Sequence, residues 1–116
     1  MTRTVELVIA GDGAGVFHAA ATAVRAGQSV LVLLRSSDTR VGRRLHRRLR
    51  HLAIAGGGAC AVESDVAVVC VDGIAGVEAV VFRHRRTGRL DAVNATAFTD
   101  ACTENGKPIR SAVDFD

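Results

Sequence analysis

Gly11-Asp12-Gly13-Ala14-Gly15 is the stretch of this 116-residue chain whose composition and spacing could do chemistry. It follows the apolar run Val5 to Ala10 and leads into the alanine-rich segment Ala19 to Ala26. That order reads as a buried strand, a tight turn and a helix. Such a turn aims the unpaired N–H groups of the helix's first residues at whatever lies above the strand end, a natural seat for a pyrophosphate. A second group, Arg35, Ser36 and Arg40, follows the next apolar run and has the donors that could meet a phosphate.

The elements that must position these residues are legible in order. Val5 to Ala10 is the first strand, Val16 to Arg25 a helix with Gly27 as its left-handed cap, and Ser29 to Leu34 a second, fully apolar strand. Strand, helix and strand make a right-handed βαβ unit. Arg35-Ser36-Ser37-Asp38-Thr39 carries N-cap chemistry for a helix over Thr39 to about Leu52. Its apolar stripe is Val41, Leu45, Leu49 and Leu52, with arginines over the other faces, and Gly56-Gly57-Gly58 is read as a flexible link that ends it. Four β-rich runs follow, Ala59 to Glu63, Val66 to Val71, Val77 to Arg85 and Leu90 to Phe98. Their hairpin-length links predict an antiparallel meander. The fold class expected is therefore α/β: a Rossmann-like βαβ parallel sheet with an inserted antiparallel β-meander. One domain is expected, with the βαβ unit and basic helix in 1–58, the meander and return strand in 59–101, and a loop-like tail in 102–116.

Composition narrows the function. Apolar residues make up 48% of the chain but aromatics only 3%, with no Trp or Tyr, which leaves little for stacking bases or a flavin ring. The net charge of +3 is unevenly placed: Arg35 to His51 holds seven arginines against Asp38, or +6, so the remainder is −3. Cys60, Cys70 and Cys102 are odd in number and lack CxxC spacing, which suits packing residues in a reducing, cytoplasmic setting. No signal peptide or membrane-length apolar run is seen. His46 and His51 do not share a helix face, so no metal site is read, and His18 reads as a surface or core-edge residue. No Ser-His-Asp set or carboxylate pair offers a catalytic residue.

The order of βαβ unit, basic helix, meander and return strand resembles the nucleotide-binding domain of flavoproteins with two dinucleotide-binding domains. Val8-Ile9-Ala10-Gly11-Asp12-Gly13-Ala14-Gly15-Val16 lies over the V-V-G-A-G-G-A-G-L opening of the succinate dehydrogenase and fumarate reductase flavoproteins. Thr96 to Thr103 resembles the approach to that group's A-T-G-G. The pyridine-nucleotide domain of thioredoxin reductases is similar too, with Leu34-Arg35-Ser36 and Arg40 near its H-R-R and following Arg.

The resemblance implies an oxidoreductase-type domain binding FAD or NADP through Gly11, Asp12, Gly13, Ala14 and Gly15, with Arg35, Ser36 and Arg40 at the ribose end. It also implies further flavin-contacting and catalytic segments, so a completing protein subunit is expected, and the exposed edge of a truncated sheet suggests a homo-oligomer. The glycine motif departs from the pattern. In one register its three glycines fall at Ala10, Asp12 and Gly15, and in the other at Gly11, Gly13 and Val16. An Asp at the second position fills space that a pyrophosphate needs and adds like charge. Two charges about 4 Å apart interact by roughly 1 kcal/mol in water and about 4 at a protein surface. The ribose-binding acid is replaced by Leu34 and Arg35, which disfavours ordinary NAD or FAD ribose recognition and fits an NADP 2′-phosphate. A non-catalytic Rossmann-like remnant or assembly subunit without cofactor is the alternative. Nucleic-acid binding through the Arg-rich helix stands third, because interleaved aromatics are missing and a solvated face explains the arginines as well.

Overall fold

The structure is a computed structural model that describes residues 3–12, 14–100, 103–104 and 107–108, the last four by backbone alone. The elements are β1 (Arg3–Gly11), α1 (Ala14–Arg25), β2 (Ser29–Leu34), α2 (Thr39–Gly56), β3 (Ala59–Glu63), β4 (Val66–Asp72), β5 (Ala79–His84) and β6 (Leu90–Asp100). Two-residue strands β7 (Thr103–Glu104) and β8 (Lys107–Pro108) pair antiparallel. Of the expected tail loop, Cys102, 105–106 and 109–116 lie outside the described residues.

Six strands form one sheet in the order β3-β2-β1-β6-β5-β4. β1 lies parallel to β2 on one side and to β6 on the other, so the return strand closes beside the first. β4, β5 and β6 form the antiparallel meander. One expectation is corrected: Ala59–Glu63 is not a meander strand but pairs parallel with β2. The short link at Ser64-Asp65 turns the chain out of the parallel layer instead of closing a hairpin. Asp65 takes a left-handed φ of 57° there, and its N–H donates to the Ser36 carbonyl at 2.9 Å. Asp tolerates that backbone region better than most residues do.

The sheet has a core on each face, as strand periodicity dictates. Ile9, Val30, Val32 and Leu34 point toward α1 and α2, where they meet Val16, Ala20, Val24, Leu49 and Ala53. Val8, Ala10, Leu31 and Leu33 point the other way, toward Val66, Val80, Phe82, Val93 and Phe98. The antiparallel end of the sheet therefore folds back over the parallel half.

α2 runs four residues beyond the Leu52 expected as its end, because Ala53 to Ala55 keep helical geometry until Gly57 caps it at φ 77°. Its stripe is also rotated: Leu49 is buried and Leu45 and Leu52 half-buried, but Val41 is 45% exposed. Gly42 takes the inward place of Val41, because a Cβ there would meet the Ser64 side chain. The three glycines after α2 are a packing joint instead of a flexible link. A Cβ on Gly58 would lie 2.6 Å from the Val24 carbonyl oxygen and 2.7 Å from that of Gln28, so only glycine lets the ends of α1 and α2 meet.

Candidate functional site

The carboxyl ends of β1, β2 and β6 lie side by side, with Gly11 opposite Leu34 and Ala10 opposite Asp100. Above them is a cleft of about 390 Å³. Ala10, Gly11 and Leu33 form its floor, β4 from Val68 to Val71 one wall, and Phe98 and Asp100 another, while Arg35 stands at the rim. Gly11 is buried at a φ of 141°, a conformation that favours glycine. Ligands of open α/β sheets bind at such crevices outside the carboxyl ends of the strands.

Each residue expected at the site has a definite place, with one exception. Gly13 lies outside the described residues, as does the side chain of Ala14, which opens α1. Gly15 is exposed in the first turn of α1. Asp12 does more than fill space: its Oδ1 accepts from the Ser36 N–H at 3.1 Å, joining the β1–α1 turn to the loop after β2. Ser36 is held on several sides. Its carbonyl accepts from Asp65, and its Oγ accepts from the Asp38 N–H at 3.1 Å.

The two arginines part. Arg35 reaches the cleft, and its carbonyl accepts from Arg85 Nη1 at 2.8 Å. Arg40 turns back to Asp38, with Nε 3.3 Å from Oδ1, and does not line the cleft. Asp38 is the N-cap of α2, accepting from the Arg40 N–H at 3.0 Å. Hydrogen bonds from the Arg40 side chain and backbone hold its carboxyl below the usual aspartate range.

Several contributors carried no signal in sequence. Arg85 is distant in the chain from Arg35, and β4 reads as an ordinary apolar strand until the sheet folds over. A bulge between Val68 and Cys70 lies on the wall of the cleft. Cys70 is an exposed free thiol there, whereas burial pushes the Cys60 thiol up from its ordinary value. Cys102 lies outside the described residues.

A second cleft of about 380 Å³ lies between the β2–α2 loop and the β5–β6 hairpin, lined by Ser37, Thr39, Ser64, His84, Arg86 and Arg89 among others. His84 Nε2 lies 3.5 Å from Asp91 Oδ2 and 3.2 Å from Arg89 Nη2. Burial pushes the Asp91 carboxyl up, but hydrogen bonds from His84 and the Ala92 N–H, with the charge of Arg89, bring it below the usual range. Among the described residues no three His, Cys, Asp or Glu side chains gather to hold a metal, and no helix is long and apolar enough to cross a membrane.

No family model and no curated protein matches the sequence. Solved structures do match the fold. The myxobacterial chondrochloren halogenase CndH, described as an FAD-dependent halogenase, superposes with a TM-score of 0.65 at 14% identity, over 90% of this chain and 38% of its own. Thioredoxin reductase from Streptococcus pyogenes gives 0.66 at 19% identity, over 89% of this chain and 32% of its own. The flavin-dependent monooxygenase PieE, solved with FAD and substrate, gives 0.61 at 14% identity, over 95% and 31%. This chain thus spans about a third of the length of these structures. At such identities the likeness is one of fold: the chain has the Rossmann-like architecture of FAD/NAD(P)-binding proteins.

Proposed function

We propose that the chain is an FAD/NAD(P)-binding domain of oxidoreductase type that holds the adenine end of a dinucleotide and works with a completing subunit or domain. The observation that carries this reading is the cleft at the carboxyl ends of β1, β2 and β6, where Gly11 and Arg35 meet. Its volume of about 390 Å³ is at the small end of the usual range for small-molecule pockets, suited to a nucleoside portion. Gly11 offers backbone without a side chain, the start of α1 offers N–H groups to a pyrophosphate, and Val68, Val71 and Phe98 offer an apolar wall. Arg35 would serve the ribose or its phosphate, with NADP and FAD as the candidate cofactors. When bound, the cofactor would supply the redox chemistry, while the protein supplies orientation and charge. Titration of the purified chain with FAD, NAD and NADP tests this. Saturable binding of FAD or NADP that Arg35→Ala weakens is expected; no thermal shift at millimolar ligand would refute it.

One observation favours a second reading, a domain that keeps the fold without cofactor: the Asp12 carboxylate already occupies the Ser36 N–H. Affinity that appears only in Asp12→Gly would decide for it. A second copy or completing subunit would add most simply at the apolar outer strand β4, where Val69 is 46% exposed. Light scattering that finds only monomer would remove the second-copy case.

A further inference from the structure

The cleft leaves one feature unused, the outward face of α2. Seven arginines stand between Arg35 and Arg50, and the 18-residue helix contains no acid. Arg40 pairs with Asp38, and Arg48 lies over the Phe17 ring at 4.0 Å. Arg43, Arg44, Arg47 and Arg50 are exposed, and among the described residues no acid lies within ion-pair distance of them.

This arrangement does not help the helix. Arg43 and Arg47 are four apart, and Arg44, Arg47 and Arg50 three apart, spacings at which like charges destabilise a helix. Beyond the Asp38 cap, the first turn has no acid and the last turn no base, so these charges do not complement the helix dipole. The helix is nevertheless held firmly, by the Asp38 cap at one end and by the Gly56-Gly58 joint against α1 at the other. A row of exposed guanidinium groups is thus displayed on a helix whose backbone is held at both ends.

We infer that this face binds the phosphate backbone of duplex nucleic acid without regard to base sequence. Guanidinium groups match phosphate in a bidentate way, and a helix is a shape that lies along a duplex groove. A lipid surface fits less well, because the apolar side of α2 is spent in the core: Leu49 is buried and Leu45 and Leu52 packed against it. A protein interface would need an apolar centre, whereas the exposed apolar residues of α2, Val41 and Ile54, flank the arginines. Among the described phenylalanines Phe82 and Phe98 are buried and Phe17 lies under Arg48, so no platform for stacked single-stranded bases is present.

The test is fluorescence anisotropy of the full chain with a mixed-sequence DNA duplex, without dinucleotide, across about 50–200 mM salt. With four arginines engaged, the slope of log K against log salt should be about −3.6, a loss of affinity on the order of 100-fold over that range. Arg43→Glu/Arg44→Glu/Arg47→Glu, with its fold checked by circular dichroism, should abolish binding. Should that variant not fold, Arg43→Gln/Arg44→Gln/Arg47→Gln should flatten the slope to about −1. No binding at the lowest salt, unchanged binding by a folded variant, or equal affinity for polyglutamate or anionic vesicles at matched ionic strength each overturns the inference. None of these outcomes bears on dinucleotide binding, which is read separately at the cleft.

Discussion

Asp12 carries two opposed roles, and its chemistry decides between them. Its carboxylate secures the Ser36 N–H, yet a pyrophosphate approaching the start of α1 would meet its charge. Asp12→Gly removes the charge, and dinucleotide affinity should rise at least about fivefold by calorimetry, the smaller end of what a charge pair near 4 Å is worth. An unchanged or weaker affinity would mean that the carboxylate does not face the ligand. The expectation of repulsion comes from the sequence, since an Asp among glycines announces itself. The bond to Ser36 was not legible there, because it depends on β1 and β2 ending in register. Asp38 gives a pH prediction. Its folded carboxyl titrates below the ordinary value, so its stabilising effect is complete above the unfolded pKa and is lost as pH falls through the folded one. Asp38→Asn keeps a side-chain acceptor for the Arg40 N–H but cannot titrate. The variant's acid unfolding curve should therefore be shallower below the ordinary aspartate range, and a curve superimposable on the parent's would show that Asp38 adds nothing to acid stability.

At the scale of elements, α2 shows where reading a sequence succeeds and where it stops. Its N-terminus and its amphipathic character follow from Asp38-Thr39 and from leucines at helical spacing. The rotation that exposes Val41 does not, because it arises from how closely Gly42 comes to Ser64, a residue on another element. Likewise the βαβ unit is local and legible, whereas the parallel placement of β3 depends on a crossover that no spacing reveals. The glycine cluster makes the distinction measurable. Gly58→Ala would push a Cβ against two carbonyl oxygens of fixed backbone and should cost about 1–3 kcal/mol in urea unfolding. Gly57→Ala meets open space and suffers only its left-handed φ, for about 1 kcal/mol, the low end of that backbone cost. A flexible link would tolerate both equally, so equal small effects would refute the packing joint.

Over the whole molecule, β1 and β2 are the shared wall between two cores, and this determines how the chain must unfold. Residues of β2 alternate sides, Val30, Val32 and Leu34 toward the helices and Leu31 and Leu33 toward the meander, and these five are all buried. If the meander opened alone, Leu31, Leu33, Val8 and Ala10 would lose their cover on one face. That exposure makes separate opening costly and couples the two halves. Leu49→Ala on the helical side should cost about 2–5 kcal/mol and Phe82→Ala on the meander side about 3–5. Because Leu49 and Phe82 belong to different clusters, the double variant should show close to the sum. Each single change should lower amide protection in α1 and β5 alike, since both report the same global event. Hydrogen exchange that shows Phe82→Ala releasing β4 and β5 while α1 and α2 keep full protection would instead divide the molecule into two folding units. The cleft formed by Gly11, Arg35 and β4 would then be a joint between units that open independently, and its shape would depend on ligand to hold it closed.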